Sequence, residues 1–149
     1  MANRKFCNFV ASNGNCQERN QFVEQLSKYK KVDCGGRWMN NIGYVVGDKL
    51  KFQSEYKFSI AFENNAYRPG YEWYITEKIM QPMTVNSIPI YSGGSGVMND
   101  FNKKSFISLN DFENMGNMIE YIIELDNNDD KYLEVLKQPW FNNNQIPHN

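Results

Sequence analysis

The chain has 149 residues, a formal net charge of −1, and hydrophobic and aromatic contents of 41% and 15%. This length is enough for one domain with its own core, and the balanced charge argues against a basic nucleic-acid-binding surface. No apolar stretch approaches the roughly 20 residues of a membrane-spanning helix, and the first residues lack a secretory apolar segment.

Cysteine and histidine usage restricts the chemistry further. The three cysteines show no disulfide-framework spacing, so we expect reduced thiols and a cytosolic setting. The only histidine, His148, lies in the tail, which argues against a His/Cys metal cluster and against a histidine-based nucleophile relay.

Strands and helices alternate along the first half of the chain. Apolar alternation and turn residues separate the segments, and Phe22, Leu26 and Tyr29 share one face of the first helix. The predicted elements are a strand from Lys5 to Ala11, a helix from Glu18 to Tyr29, a short strand at Val32, a short helix from Asp48 to Glu55 and a strand from Phe58 to Phe62.

The second half continues this alternation. After a polar loop, Thr76 fits the N-cap of a helix that contains Pro82. The later predictions are strands from Ile88 to Tyr91 and from Phe106 to Ser108, a helix from Asn110 or Asp111 through Glu124, and a helix from about Asp129 to Lys137. We expect residues 1–139 to form one domain and residues 140–149 an asparagine-rich tail.

This order of elements predicts an α/β protein with a parallel sheet and helices on both faces. In such sheets ligands bind outside the carboxyl ends of the strands. That end collects Asn64, Glu77 and Lys78, and Arg19 begins the helix of the preceding strand–helix unit. Arg19 and Lys78 would then meet in one crevice, where two cations and a helix N-terminus suit a diphosphate.

Each of these residues also has an ordinary structural explanation. Glu77 stabilises the first turn of any helix, Lys78 suits a solvated surface, and Arg19 suits an ion pair with Glu18. The glycine pairs do not form a G-x-G-x-x-G fingerprint, so an ordinary dinucleotide fold is not indicated. Residue chemistry alone therefore predicts an α/β domain with a phosphate-binding end.

Several motifs in order resemble the α-1,3/1,4-fucosyltransferase family. The resemblance extends over roughly residues 6–136, and its specificity comes from the order and spacing of the motifs. They are FVASN (Phe9 to Asn13), VDCGG (Val32 to Gly36), YKFSIAFEN (Tyr56 to Asn64), TEKI (Thr76 to Ile79), IPIY-x-G (Ile88 to Gly93) and DFNKKSFISLNDF (Asp100 to Phe112).

The resemblance implies the Rossmann-like, donor-binding C-terminal half of a GT-B glycosyltransferase. Arg19 and Lys78 would hold the diphosphate of GDP-fucose, Glu77 the ribose, and Asn64 and Tyr74 would line the donor pocket. The family needs neither metal nor cofactor. It transfers fucose with inversion to an N-acetyllactosamine-type glycan. The catalytic base is expected in an N-terminal acceptor domain, on the same chain or another, so this chain alone would be an incomplete enzyme.

The chain departs from the family pattern at three places. Ser92 stands where the family has tryptophan, four residues separate the Gly70-Tyr71 pair from Thr76, and Pro82 lies inside a predicted helix. The longer loop leaves open whether Tyr71 or Tyr74 is the pocket tyrosine. The alternative function is a non-catalytic nucleotide-sugar or carbohydrate-binding module that kept the fold and lost the chemistry.

Overall fold

The structure, a computed structural model, describes residues 3–63, 77–93 and 101–141. These residues form strands and helices that alternate as the sequence predicts. The strands are β1 (Lys5–Phe9), β2 (Asp33–Cys34), β3 (Tyr56–Phe62), β4 (Ile88–Ser92) and β5 (Ile107–Ser108). The helices are α1 (Gln17–Ser27), α2 (Lys49–Gln53), α3 (Glu77–Thr84), α4 (Met115–Asp126) and α5 (Asp129–Leu136), with single 3-10 turns at Lys103–Ser105 and Leu109–Asp111.

The strands form one five-stranded sheet in the order β2-β1-β3-β4-β5. All four pairings are parallel. The chain leaves β1 toward β2 on one side and returns across β1 to place β3 on the other. The boundary between β1 and β3 is therefore the topological switch point, where open parallel sheets bind their ligands.

Helices cover both faces of this sheet. Along β3 the side chains alternate, so Phe58, Ile60 and Phe62 enter the larger core with α1 and α4, whereas Ala61 enters a smaller core. Residues Ile79 and Met83 of α3 belong to that smaller core, with Tyr91, Phe101 and Phe106. The predicted fold class, a parallel sheet with helices on both faces, is confirmed.

Strand β1 is shorter than the sequence predicts, because a tertiary contact replaces strand pairing at its end. The strand ends at Phe9, not at Ala11. The loop after β2 crosses over this point, where the Trp38 backbone N–H donates to the Ala11 carbonyl at 2.9 Å. A Cβ on Gly36 would lie 2.2 Å from the same carbonyl oxygen, so only glycine permits this close crossing.

The prediction that Asn110 or Asp111 caps the fourth helix is wrong. Those residues belong to a 3-10 turn, and α4 begins at Met115. Asn114 is the cap, because its side chain accepts a hydrogen bond from the Asn117 backbone N–H at 2.9 Å. Several asparagines precede this helix, and local sequence does not rank them.

Pro82 lies within α3, a helix of only eight residues. Proline removes the hydrogen bond to the residue four positions earlier, which costs about 3 kcal/mol in a long helix. Here the chain turns away soon afterwards, with Ser87 N–H donating back to the Pro82 carbonyl at 2.9 Å. The helix is held by Ile79 and Met83, which are both buried in the smaller core.

The fold continues past the boundary expected at residue 139. Trp140 and Phe141 pack against the smaller core, and the Trp140 carbonyl accepts from Asn102 N–H at 2.8 Å. Residues 142–149 lie outside the described part of the chain. None of the helices within the described ranges has the length and apolarity needed to cross a bilayer.

Candidate functional site

A small cavity lies at the carboxyl ends of β1 and β3, at the switch point of the sheet. Its volume is about 20 Å³. The strand ends supply an apolar floor, and helices α1, α2 and α3 supply polar walls. The described lining residues are Phe9, Val10, Ile60, Ala61 and Phe62 from the strands and Arg19, Lys49, Gln53 and Lys78 from the helices.

Arg19 is held in place from two sides. It lies in the first turn of α1 and is 3% exposed. Its Nη2 donates to the Asn13 carbonyl at 2.6 Å, and the guanidinium lies 5.3 Å from the centroid of the Phe9 ring. Burial lowers the pKa of Arg19 from its ordinary value, but an arginine pKa begins so high that the side chain stays charged at neutral pH.

Lys78, in the first turn of α3, lines the same cavity as Arg19. The two cations that the sequence predicts for one crevice are thus brought together by parallel strand–helix units. With Lys49, the described lining carries three cations and no carboxylate. Such a concentration of positive charge suits a polyanion, and Arg19 adds the fork geometry that matches phosphate oxygens.

The remaining predicted site residues cannot be placed in the same way. Asn64, Tyr71 and Tyr74 lie outside the described residues. Glu77 is the first residue of α3, but its side chain is outside the described part. Their roles therefore stay predictions.

Sequence reasoning missed two lining residues, Lys49 and Gln53, both on α2. The predicted helix from Asp48 to Glu55 contained the signal, because residues four apart share one helix face. The Asp48 side chain caps this helix by accepting from Lys51 N–H at 3.0 Å. This cap sets the start of α2 and hence which residues face the strand ends.

Ser92, at the end of β4, makes a polar contact with α1. Its Oγ donates to Glu18 Oε1 at 2.8 Å, and its carbonyl accepts from Glu63 N–H at 2.7 Å. The serine that stands where the fucosyltransferase pattern has tryptophan is therefore hydrogen-bonded to Glu18, the residue next to Arg19. Within the described ranges, no group of three or more His, Cys, Asp and Glu side chains is placed to hold a metal ion.

A larger cavity of about 460 Å³ opens at the opposite, amino end of the sheet. Asp126, which lines it, accepts hydrogen bonds from Lys30 and Lys57, each at 2.7 Å, and from Tyr29 at 2.6 Å. Burial raises the pKa of Asp126, but these hydrogen bonds outweigh it and place the pKa below its ordinary value. We call Tyr29, Lys30, Lys57 and Asp126 the amino-end cluster.

Known proteins resemble nearly the whole chain. The family model described as "Glycosyltransferase family 10 (fucosyltransferase) C-term" matches residues 2–147. The α-(1,3)-fucosyltransferase FucT of Helicobacter pylori is 43% identical over 133 residues, which are 89% of this chain and 27% of that protein. The α-(1,3)-fucosyltransferase B of Drosophila melanogaster is 36% identical over 129 residues, covering 76% and 28%.

A crystal structure of an α1,3-fucosyltransferase with GDP-fucose superimposes with a TM-score of 0.85 at 42% identity. The match covers 91% of this chain and 39% of that chain. The chain spans only part of the length of these proteins, 27% in the case of FucT. The family model matches nearly the whole chain, and the fold superimposes on that of a solved α1,3-fucosyltransferase. The chain therefore belongs to glycosyltransferase family 10, the fucosyltransferases, whose C-terminal part it matches.

Proposed function

We propose that this chain is the donor-binding domain of a GDP-fucose-dependent fucosyltransferase. The observation that carries the proposal is the convergence of Arg19, Lys49 and Lys78 on one cavity at the switch point. A similar α1,3-fucosyltransferase has been crystallised with GDP-fucose. The cationic lining supplies the charge that a nucleoside diphosphate needs.

The binding mode follows from the positions of the helices. Arg19 and Lys78 hold the diphosphate, one as a fork-shaped donor and the other as a point charge. Glu77, next to Lys78 at the start of α3, accepts hydrogen bonds from the ribose hydroxyls. Asn64 and Tyr74 line the donor pocket.

The reaction is an inverting displacement at the anomeric carbon of fucose. The acceptor hydroxyl attacks that carbon, a base outside this chain removes its proton, and the bond to the diphosphate breaks. Negative charge then develops on the leaving GDP beside Arg19, Lys49 and Lys78. Because the protein holds these cations in place before the reaction, they stabilise the transition state without a bound metal.

The acceptor is an N-acetyllactosamine-type glycan bound by an N-terminal half. That half lies on the same chain or on a partner, and it supplies the base. The proposal accords with the coverage, because this chain matches only 27% of FucT. The described residues offer a donor site, and the acceptor site is completed elsewhere.

Calorimetric titration with GDP and GDP-fucose tests the proposal. Lys78→Ala removes a charge-assisted contact, so we expect about tenfold weaker binding of both nucleotides. Lys51→Ala is the matched control, because Lys51 belongs to α2 and is exposed, outside the cavity lining. It should leave both affinities unchanged.

Two results would contradict the proposal. Absence of binding of either nucleotide to the wild-type chain would reject a donor site altogether. Binding that is insensitive to both Lys78→Ala and Arg19→Lys would place the site elsewhere in the molecule.

A further inference from the structure

We infer that Gln53 recognises the transferred sugar of the donor by accepting a hydrogen bond from one of its hydroxyls. The inference rests on the proposed function, since it assumes that a nucleotide sugar occupies the site. It adds α2 to the binding elements and gives this short helix a role in the choice of donor. The argument depends on the burial of the Gln53 side chain, the size of the cavity and the chemistry of an amide oxygen.

Gln53 is a buried polar residue at the wall of the cavity. The residue is 2% exposed and lines the cavity with Arg19 and Lys78. Its Oε1 has no hydrogen-bond partner among the residues that the structure describes. Buried polar atoms are almost always hydrogen-bonded in native proteins, so this oxygen calls for a partner other than the described residues, and a ligand group is one that can supply it.

The chemistry of the atom restricts that partner. An amide oxygen only accepts hydrogen bonds, so it does not bind the diphosphate, whose oxygens are also acceptors at neutral pH. The cavity volume of about 20 Å³ admits one water-sized group. A single O–H group entering from the ligand satisfies both conditions.

The neighbouring cations indicate which part of the ligand supplies the hydroxyl. Arg19 and Lys78 hold the diphosphate at the mouth of this cavity, and the hydroxyl-bearing groups on its two sides are the ribose and the transferred sugar. Under the proposed binding mode Glu77 takes the ribose. The sugar on the other side of the diphosphate is therefore the partner of Gln53.

The helix that carries Gln53 is also fixed in place before any ligand arrives. Phe52 is 6% exposed, and its ring packs against Tyr56 with the centroids 4.9 Å apart. The Asp48 cap holds the other end of α2. A fixed acceptor loses little entropy on binding, which is the condition for a selective contact.

The test compares GDP with GDP-fucose on Gln53→Leu. Leucine has a similar volume and no acceptor, so the affinity for GDP-fucose should fall about tenfold while the affinity for GDP changes less than about twofold. The ligand-free variant should melt about 2–4 °C higher, because it no longer buries an unsatisfied oxygen. A set of GDP-fucose analogues, each lacking one hydroxyl, should contain one whose affinity is insensitive to the variant.

Gln81→Leu is the matched control. Gln81 Oε1 is likewise buried and has no partner among the described residues, but Gln81 does not line the cavity. This variant should leave the affinity for GDP-fucose unchanged. Equal losses of GDP and GDP-fucose affinity in Gln53→Leu, or no loss of either, would overturn the inference, and the second result would indicate that water alone occupies the cavity.

The inference and the proposed function fail in different ways. A wild-type chain that binds neither nucleotide overturns both. A chain whose GDP-fucose affinity depends on Lys78 but not on Gln53 overturns only the role of Gln53.

Discussion

The two ends of the parallel sheet both collect charged side chains, but they arrange them differently. At the amino end, Asp126 sits between Lys30 and Lys57 at 2.7 Å from each. At the carboxyl end, the described lining of the switch-point cavity has three cations and no carboxylate. At the amino end a buried carboxylate lies between two lysines, whereas at the carboxyl end three cations from three helices line one cavity.

The two groups of charged side chains have different expected roles: the amino-end cluster stabilises the fold, and the lining of the switch-point cavity is the proposed donor site. The larger cavity is at the amino end, with about 460 Å³ against about 20 Å³, so cavity size alone would not select the proposed donor site. In the amino-end cluster both lysines contact the carboxylate of Asp126, which is buried. We therefore expect these contacts to stabilise the fold. The proposed donor site is distinguished instead by its position at the switch point of the parallel sheet.

The largest expected effect is on stability, at the amino end. Asp126→Asn leaves Lys57, whose side chain is 14% exposed, beside a neutral amide. Breaking a buried ion pair costs about 3–5 kcal/mol, and we expect the lower part of this range because Lys30 is exposed. Urea unfolding measures the loss, and GDP titration of the same variant should show unchanged affinity. A weakened GDP affinity would mean that the two ends are not independent.

The next effect is on binding, at the carboxyl end. Arg19→Lys keeps the charge but removes the fork that contacts two phosphate oxygens. We expect about tenfold weaker GDP binding. The free energy of unfolding should fall by about 1–2 kcal/mol, less than in Asp126→Asn, because Arg19 Nη2 no longer donates to the Asn13 carbonyl. Calorimetry and urea unfolding measure the two quantities, and only Arg19→Lys should weaken GDP binding. Equal affinity for GDP in Arg19→Lys would show that Arg19 has only a structural role.

The pH dependence of stability provides a finer test of the amino-end cluster. The folded pKa of Asp126 lies below its ordinary value of 3.8. The resulting stabilisation is present above that pH and is lost as pH falls through the folded pKa. The difference in unfolding free energy between wild type and Asp126→Asn should therefore shrink between about pH 5 and about pH 2. A difference that stays constant with pH would contradict the assignment.

The smallest effect concerns an exposed pair at the same end. Lys5 and Glu55 lie 3.7 Å apart with side chains 59% and 50% exposed. Glu55→Gln should change the free energy of unfolding by less than about 0.5 kcal/mol, because solvent screens such pairs. Urea unfolding of Glu55→Gln and Asp126→Asn under the same conditions tests whether burial, and not charge pairing alone, determines how much an ion pair stabilises the fold. A loss comparable to that of Asp126→Asn would contradict this view.

Sequence analysis predicted the elements that carry strong local signals. The strand at Phe58 to Phe62 is apolar enough to be recognised as buried, and the spacing of Phe22 and Leu26 defines one face of α1. The start of α4 at Met115 was missed because Asn110, Asp111 and Asn114 are all acceptable caps. Only the packing of the helix against the sheet selects among them.

The sequence by itself determined the fold class and the meeting of Arg19 with Lys78. Each cation follows a parallel strand at the start of a helix, and parallel strands bring such positions to one edge. Tertiary structure alone decided the strand order and therefore which ends form the switch point. It also decided that Lys49 and Gln53 join the cavity and that Asp126 pairs with both Lys30 and Lys57, since these contacts join segments far apart in the chain and leave no local pattern.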